Sequence, residues 1–159
     1  MPSGNHREVR LTKFLKESCI SLGIKATSKK DAIAELVDLV AKSGKIKNKK
    51  IFLSAVLKRE KLGSTGIGNG VAMPHAKSDA AKDFMIAFGR SEQGIDFGAL
   101  DGEKTYLFFL LASPEKEVGL HLKMLAKISH VVKDKFVIEN LQKAASGKEI
   151  LRIINLYSR

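Results

Sequence analysis

The period of the apolar positions changes several times along this chain, and each change marks an element. Residues 19–24 (CISLGI) are a short apolar run suited to a β-strand. Ser28 then opens a helix, with Ala32, Ile33, Leu36, Val37 and Val40 at helical spacing and Gly44 ending the run. A basic turn at 45–50 follows. Asn48 starts a second helix through Ile51, Phe52, Ala55, Val56 and Arg59, which stops at Gly63. Residues 71–73 form a brief β-like run, and 84–88 and 105–112 (TYLFFLLA) read as buried strands. Between these two, GIDFGALDG suggests a turn around a short strand. The last third reads as helices over roughly 118–132, 134–145 and 147–156. Strands and helices mixed on a single core predict an α/β sandwich, one domain after a polar, flexible N-terminus at residues 1–10.

Composition narrows the class. With 159 residues, 44% hydrophobic and 28% charged, the chain has the makeup of a folded domain. No run approaches the roughly 18 apolar residues of a membrane span, and the opening MPSGNHREVR has no signal-peptide core. Aromatics are 6% with no Trp, which argues against a base-stacking platform. A single cysteine, Cys19, excludes an internal disulfide and points to a reduced, cytoplasmic setting. The formal charge of +11 is the unusual number. Residues 1–50 hold 12 basic and 5 acidic side chains, so over half of the excess lies in the first third. Such a chain attracts acidic partners at long range without specifying them.

Candidate chemistry concentrates at residues 63–77, GSTGIGNGVAMPHAK. The glycine run is neither a Walker A loop nor a Rossmann fingerprint, because no GK[ST] and no helix follow it. Two readings stay open for it: a tight turn using left-handed glycines, or exposed amides of Ser64, Thr65, Gly66, Gly68, Asn69 and Gly70 holding an anion. Pro74-His75 after a short strand sets an imidazole at a strand end, where it is nucleophilic near neutral pH. His121 shares a helical stripe with residues 125, 128 and 132, so it faces inward or toward a cleft, as a satisfied core histidine or as a partner to His75. Arg59 and Glu60 close the second helix, as a surface ion pair and dipole cation or as a phosphate clamp through the guanidinium. Lys61 and Lys77 flank the loop. His130 shares a face with lysines and reads as solvated, and His6 takes no role. No HxH or HExxH spacing supports a metal site.

At this point the stretch REKLGSTGIGNGVAMPHAK, residues 59–77, resembles the active-site signature of the IIA components of the bacterial phosphoenolpyruvate-dependent phosphotransferase system, of the fructose/mannitol type and nearest its nitrogen-regulatory members. LTKFLKE, SKKDAIAEL and GLHLKMLAKIS fall in the expected order, so the resemblance spans residues 11–157. It implies a mixed sheet of about five strands flanked by helices on both faces. It implies that His75 accepts the phosphoryl group at Nε2 from HPr or a nitrogen-branch paralogue. His121 and Arg59 would bind that group, with neither metal nor cofactor. Ala76 stands where many members have glycine, which matters only if that position needs a positive φ.

The function expected is a phosphoryl carrier acting as a regulator of target proteins through its phosphorylation state. No membrane or IIB domain lies within these 159 residues. The alternative is a sugar-branch IIA that passes the group to a separate IIB. A basic nucleic-acid-binding module is the distant third reading, and membrane insertion is not expected.

Overall fold

The computed structural model describes residues 9–158. Residues 1–8, the greater part of the expected flexible N-terminus, and His6 with them, lie outside the described residues. A 3-10 turn, Leu11–Lys13, leads into strand β1, Leu15–Ser21. Helices α1, Lys29–Ala41, and α2, Lys49–Lys61, follow. Three short strands come next: β2, Gly66–Gly68; β3, Val71–Ala72; and β4, His75–Lys77. Two long strands, β5, Met85–Ile95, and β6, Thr105–Ser113, carry the centre of the sheet. Helices α3, Val118–Val131, α4, Lys135–Lys143, and α5, Gly147–Tyr157, complete the chain.

The sheet has six strands in the order β1-β5-β6-β3-β2, with β4 also paired to β6. It is mixed: β1 runs parallel to β5, β5 antiparallel to β6, and β3 and β4 parallel to β6. Both faces of the central strands are covered, so they read as unbroken apolar runs rather than as alternation. Along β6, Leu107, Phe109 and Leu111 join the core under α3, α4 and α5. Phe108, Leu110 and Ala112 join the core under α1 and α2. The expected sandwich, helices on both faces, is what forms.

The two helix starts read from the sequence are built as expected. The Ser28 hydroxyl accepts from the Asp31 amide at 3.2 Å and the Asn48 side chain from the Ile51 amide at 3.0 Å, each satisfying a free first-turn donor. Other expectations shift. The first strand runs Leu15–Ser21 and not 19–24, because it is a sheet-edge strand with an irregular register between Leu15 and Ile20 that blurs its apolar period. β5 continues to Ile95 through Arg90, Glu92 and Gln93, whose polarity hid it. Residues 96–104 hold turns and no strand. β2 and β4, three residues each, are too short to show a period. Among the described residues no helix is long and apolar enough to cross a membrane.

Leu110 is fully buried in the middle of β6. Leu110→Ala is expected to lower the unfolding free energy by about 2–5 kcal/mol, read as a lower urea midpoint at unchanged slope; a loss under 1 kcal/mol would mean the two cores are not closed as described.

Candidate active site

β3 and β4 behave as one strand with a break. Val71 and Ala72 pair with Leu107 and Phe108, and His75, Ala76 and Lys77 pair with Leu111, Ala112 and Ser113, at one constant offset. Pro74 sits at the break. It has no N–H to give the ladder, yet its carbonyl accepts from the Leu111 amide at 3.0 Å. The adjacent Met73 carbonyl accepts instead from the His75 ring: Nδ1 lies 2.8 Å away. A carbonyl can only accept, so Nδ1 carries the proton and Nε2 keeps its lone pair. The bond also fixes the ring orientation. Ala76 lies in β4 with φ outside the positive range, so the Ala-for-Gly difference costs nothing here.

His121 comes from the first turn of α3 and is 3% exposed. Its ring centroid is 5.1 Å from that of His75, with the planes 60° apart. Its Nδ1 is 2.6 Å from the hydroxyl of Ser113, the buried last residue of β6. Sequence reasoning missed Ser113; the only signal was a serine closing the apolar run TYLFFLLA. Burial depresses both imidazoles. His121 is lowered to about 4, by desolvation and then by the neighbouring His75 and Lys77. His75 is lowered by desolvation, which outweighs the Met73 carbonyl, with Arg59 and Lys77 adding to the effect and Glu60 opposing it. Two neutral imidazoles therefore meet at one cleft at neutral pH.

Arg59 ends α2 near enough to influence His75. Its guanidinium Nη1 donates to the Gly63 carbonyl at 2.9 Å, and among the described residues its other N–H groups meet no acceptor. Glu60 is not the surface partner expected. It is buried, takes the amide and hydroxyl of Thr65, and pairs with Lys29 Nζ at 2.8 Å. It thus ties α1, α2 and the glycine loop together.

The loop itself is shaped by internal bonds. Gly68, Asn69 and Gly70 all have positive φ, at 93°, 58° and 78°. The Asn69 amide donates to Asp101 at 2.9 Å, and a Cβ on Gly68 would meet the same carboxylate at 3.1 Å. The amides of Asn69 and Glu103 hold the Asp101 carboxyl below its usual range. Gly66 donates to the Ser64 hydroxyl, which itself donates to the Phe97 carbonyl. Of the six loop residues expected to offer anion contacts, Thr65, Gly66 and Asn69 have their amides committed to protein acceptors, and Ser64 and Thr65 their hydroxyls. The turn reading fits this loop better than the anion cradle. His130 is exposed, as expected. Among the described residues no group of three or more His, Cys, Asp or Glu could hold a metal ion.

Comparison with known proteins gives the family. Residues 13–157 match the family model described as phosphoenolpyruvate-dependent sugar phosphotransferase system, EIIA 2. The chain belongs to that family. It is 35% identical over 151 residues, 95% of its length, to the fructose-specific EIIABC component of Bacillus subtilis, and spans 24% of that longer protein. The structure of the nitrogen regulatory protein IIA-Ntr from Neisseria meningitidis superimposes with a TM-score of 0.85 at 33% identity, covering 90% of this EIIA chain and 97% of the other. Mannitol IIA of Escherichia coli, solved in complex with phosphorylated mannitol IIB, superimposes with a TM-score of 0.76 at 26% identity, over 88% of this chain and 97% of its own. The EIIA fold is thus shared by a regulatory relative and by sugar-specific ones.

Two outcomes follow for the EIIA site. Between about pH 4 and 6.5 the unfolded chain binds protons that folded His121 refuses, so stability is complete above pH 6.5 and declines as pH falls toward 4. NMR of the imidazole carbons should show His121 unprotonated down to pH 5; a midpoint above 6 would contradict the described burial. Glu60→Ala leaves the buried Thr65 amide without its acceptor and Lys29 with only the Phe97 carbonyl, and is expected to cost about 1–3 kcal/mol, against under about 1 kcal/mol for Arg59→Ala, both by urea melts.

Proposed function

We propose that this EIIA chain carries a phosphoryl group on Nε2 of His75, received from HPr or a nitrogen-branch paralogue, and acts as a regulator whose phosphorylation state governs binding to target proteins. The observation that carries this reading is the Met73–His75 hydrogen bond, which leaves one lone pair, on Nε2, beside a second neutral imidazole. In the transfer step the Nε2 lone pair attacks phosphorus while the bond from phosphorus to the donor's imidazole breaks. The donor ring takes a proton from solvent and leaves neutral, and the phosphorylated His75 ring keeps Nδ1–H against the Met73 carbonyl and with it one positive charge. Charge spreads over the three equatorial oxygens. The free N–H groups of Arg59 meet that charge, as does Nε2–H of His121, a tautomer available when the Ser113 hydroxyl donates to its Nδ1. The glycine loop acts by holding Arg59 and the His75 strand in register. Val118 and Leu122, exposed on the first turn of α3 on either side of His121 in sequence, give the donor an apolar landing. No metal or cofactor takes part. The lone buried thiol of Cys19 suits a cytoplasmic setting.

A second reading has its own support. The 35% identity to a fructose-specific EIIABC component favours a sugar-branch IIA that hands the group to a IIB. The same histidine serves both readings, and the acceptor separates them.

The deciding experiment is intact mass after incubation with phosphoenolpyruvate, Enzyme I and HPr, or their nitrogen-branch counterparts. Wild type should gain one acid-labile phosphate and His75→Ala none, with its fold intact; phosphate on His75→Ala would overturn the site. Addition of purified IIB proteins then tests the acceptor: retention of phosphate supports the regulator, loss supports the sugar branch. Arg59→Ala should slow phosphorylation about ten- to a thousandfold without abolishing it, and an unchanged rate would remove Arg59 from the site.

A further inference from the structure

The excess positive charge has a place in the fold that phosphoryl transfer does not explain. A groove of about 440 Å³ lies at the end of the sheet where β1 and β5 begin and β6 ends. Five lysines from four separate segments converge on it: Lys13, Lys16, Lys45, Lys82 and Lys116. They are far apart in sequence, so a charge count by region could not reveal the cluster. Two backbone bonds fix its shape, from the Lys82 amide to the Lys45 carbonyl at 2.7 Å and from the Ile86 amide to the Phe14 carbonyl at 3.0 Å. Among the described residues, only Lys45 of the five has a carboxylate within 4 Å, Asp83 at 3.2 Å. The walls also carry Phe14 and Leu120, both half-buried.

We infer that this groove is a docking site for an acidic segment of a protein partner, one in which carboxylates alternate with apolar side chains. Charge complementarity names the sign: like-signed ammonium groups held together lower their mutual repulsion when carboxylates come between them. The apolar wall names the rest, since Phe14 and Leu120 offer contact to aliphatic or aromatic residues between those carboxylates. A nucleic acid fits less well. The groove holds a few residues of extended chain and not a duplex, it has no arginine for bidentate phosphate contact, and Asp83 and Glu117 lie on its rim. Position gives the site its meaning. Leu120 lines the groove and the next residue, His121, faces His75, so a segment seated here lies across the first turn of α3 from the phosphoryl acceptor.

The test uses the unphosphorylated full chain, so its result is independent of phosphoryl transfer to His75. The probe is a fluorescein-labelled peptide, Glu-Leu-Glu-Phe-Glu-Leu-Glu, followed by anisotropy at about 50 mM salt, where the Debye length is roughly 14 Å. Lys16→Glu/Lys82→Glu is compared with Lys135→Glu/Lys148→Glu, a pair of exposed lysines on α4 and α5 with the same change in net charge. The proposal expects the groove variant to bind at least about tenfold more weakly and the distant variant to bind within about twofold of wild type. A Gln-for-Glu version of the peptide should not bind. Circular dichroism melts verify that both variants fold; should the groove variant not fold, Lys16→Gln/Lys82→Gln replaces it, with about threefold weakening expected. Equal losses in both variants would reduce the effect to net charge and overturn the site. So would no binding by wild type, or a single-stranded oligonucleotide that binds more tightly than the peptide and is lost with the same two lysines.

Discussion

Everything at the cleft depends on the parallel pairing of one broken strand along β6. Strands β3 and β4 keep a single register on β6 across Met73 and Pro74. A proline inside a paired strand removes one ladder donor toward β6. The Met73 carbonyl belongs to a residue whose amide bonds Thr65 on the side away from β6, and the His75 ring takes that carbonyl as its orienting acceptor. The same strand β6 ends one residue past Ala112 in Ser113, whose hydroxyl meets His121. One strand thus positions both imidazoles, from its side and from its end, and the two cores that clamp it make the placement rigid.

Electrostatics at this cleft is arranged by burial more than by opposite charges. Both histidines are depressed chiefly because their protonated forms would be poorly solvated. The nearby cations Arg59 and Lys77 push in the same direction and also prepare the space for an anion. Glu60, the one buried carboxylate among the described residues, has its oxygens taken by Thr65 and Lys29. Its charge still raises the proton affinity of His75, but by less than burial and Arg59 lower it.

Much of this was legible in the residues. Helices α1 and α2 announced themselves through Ser28 and Asn48, and the buried strands through their unbroken apolar runs. A Pro-His at a strand end and a histidine on an apolar helical stripe left the pairing of His75 with His121 as one of two readings, and the resemblance to IIA proteins implied it. What could not be read has a common cause: it depends on contacts between segments distant in sequence. The edge strand β1 hid its register in an irregularity. The three-residue strands had no room for a period. Glu60 looked like half of a surface pair because its partners, Lys29 and Thr65, belong to another helix and to a loop. The loop amides looked free because Asp101 and its hold on Asn69 come from the far side of β5. The resemblance to IIA proteins supplied the roles, and the geometry supplied the reason that Nε2, and not Nδ1, is the atom left open.

The uninterrupted register across Pro74 also sets how this region can change over evolutionary time. Side chains alternate between the two cores along a strand. Val71 and Met73 face α3–α5, Ala72 and Ala76 face α1 and α2, and His75 returns to the α3 side. Loss or gain of a single residue between Val71 and His75 would exchange the faces, driving the imidazole into the core beneath α1 and exposing alanine to the cleft. Length is therefore as constrained here as residue identity. The connection at 96–104, which holds no strand, can absorb insertions wherever Asp101 keeps its reach to Asn69.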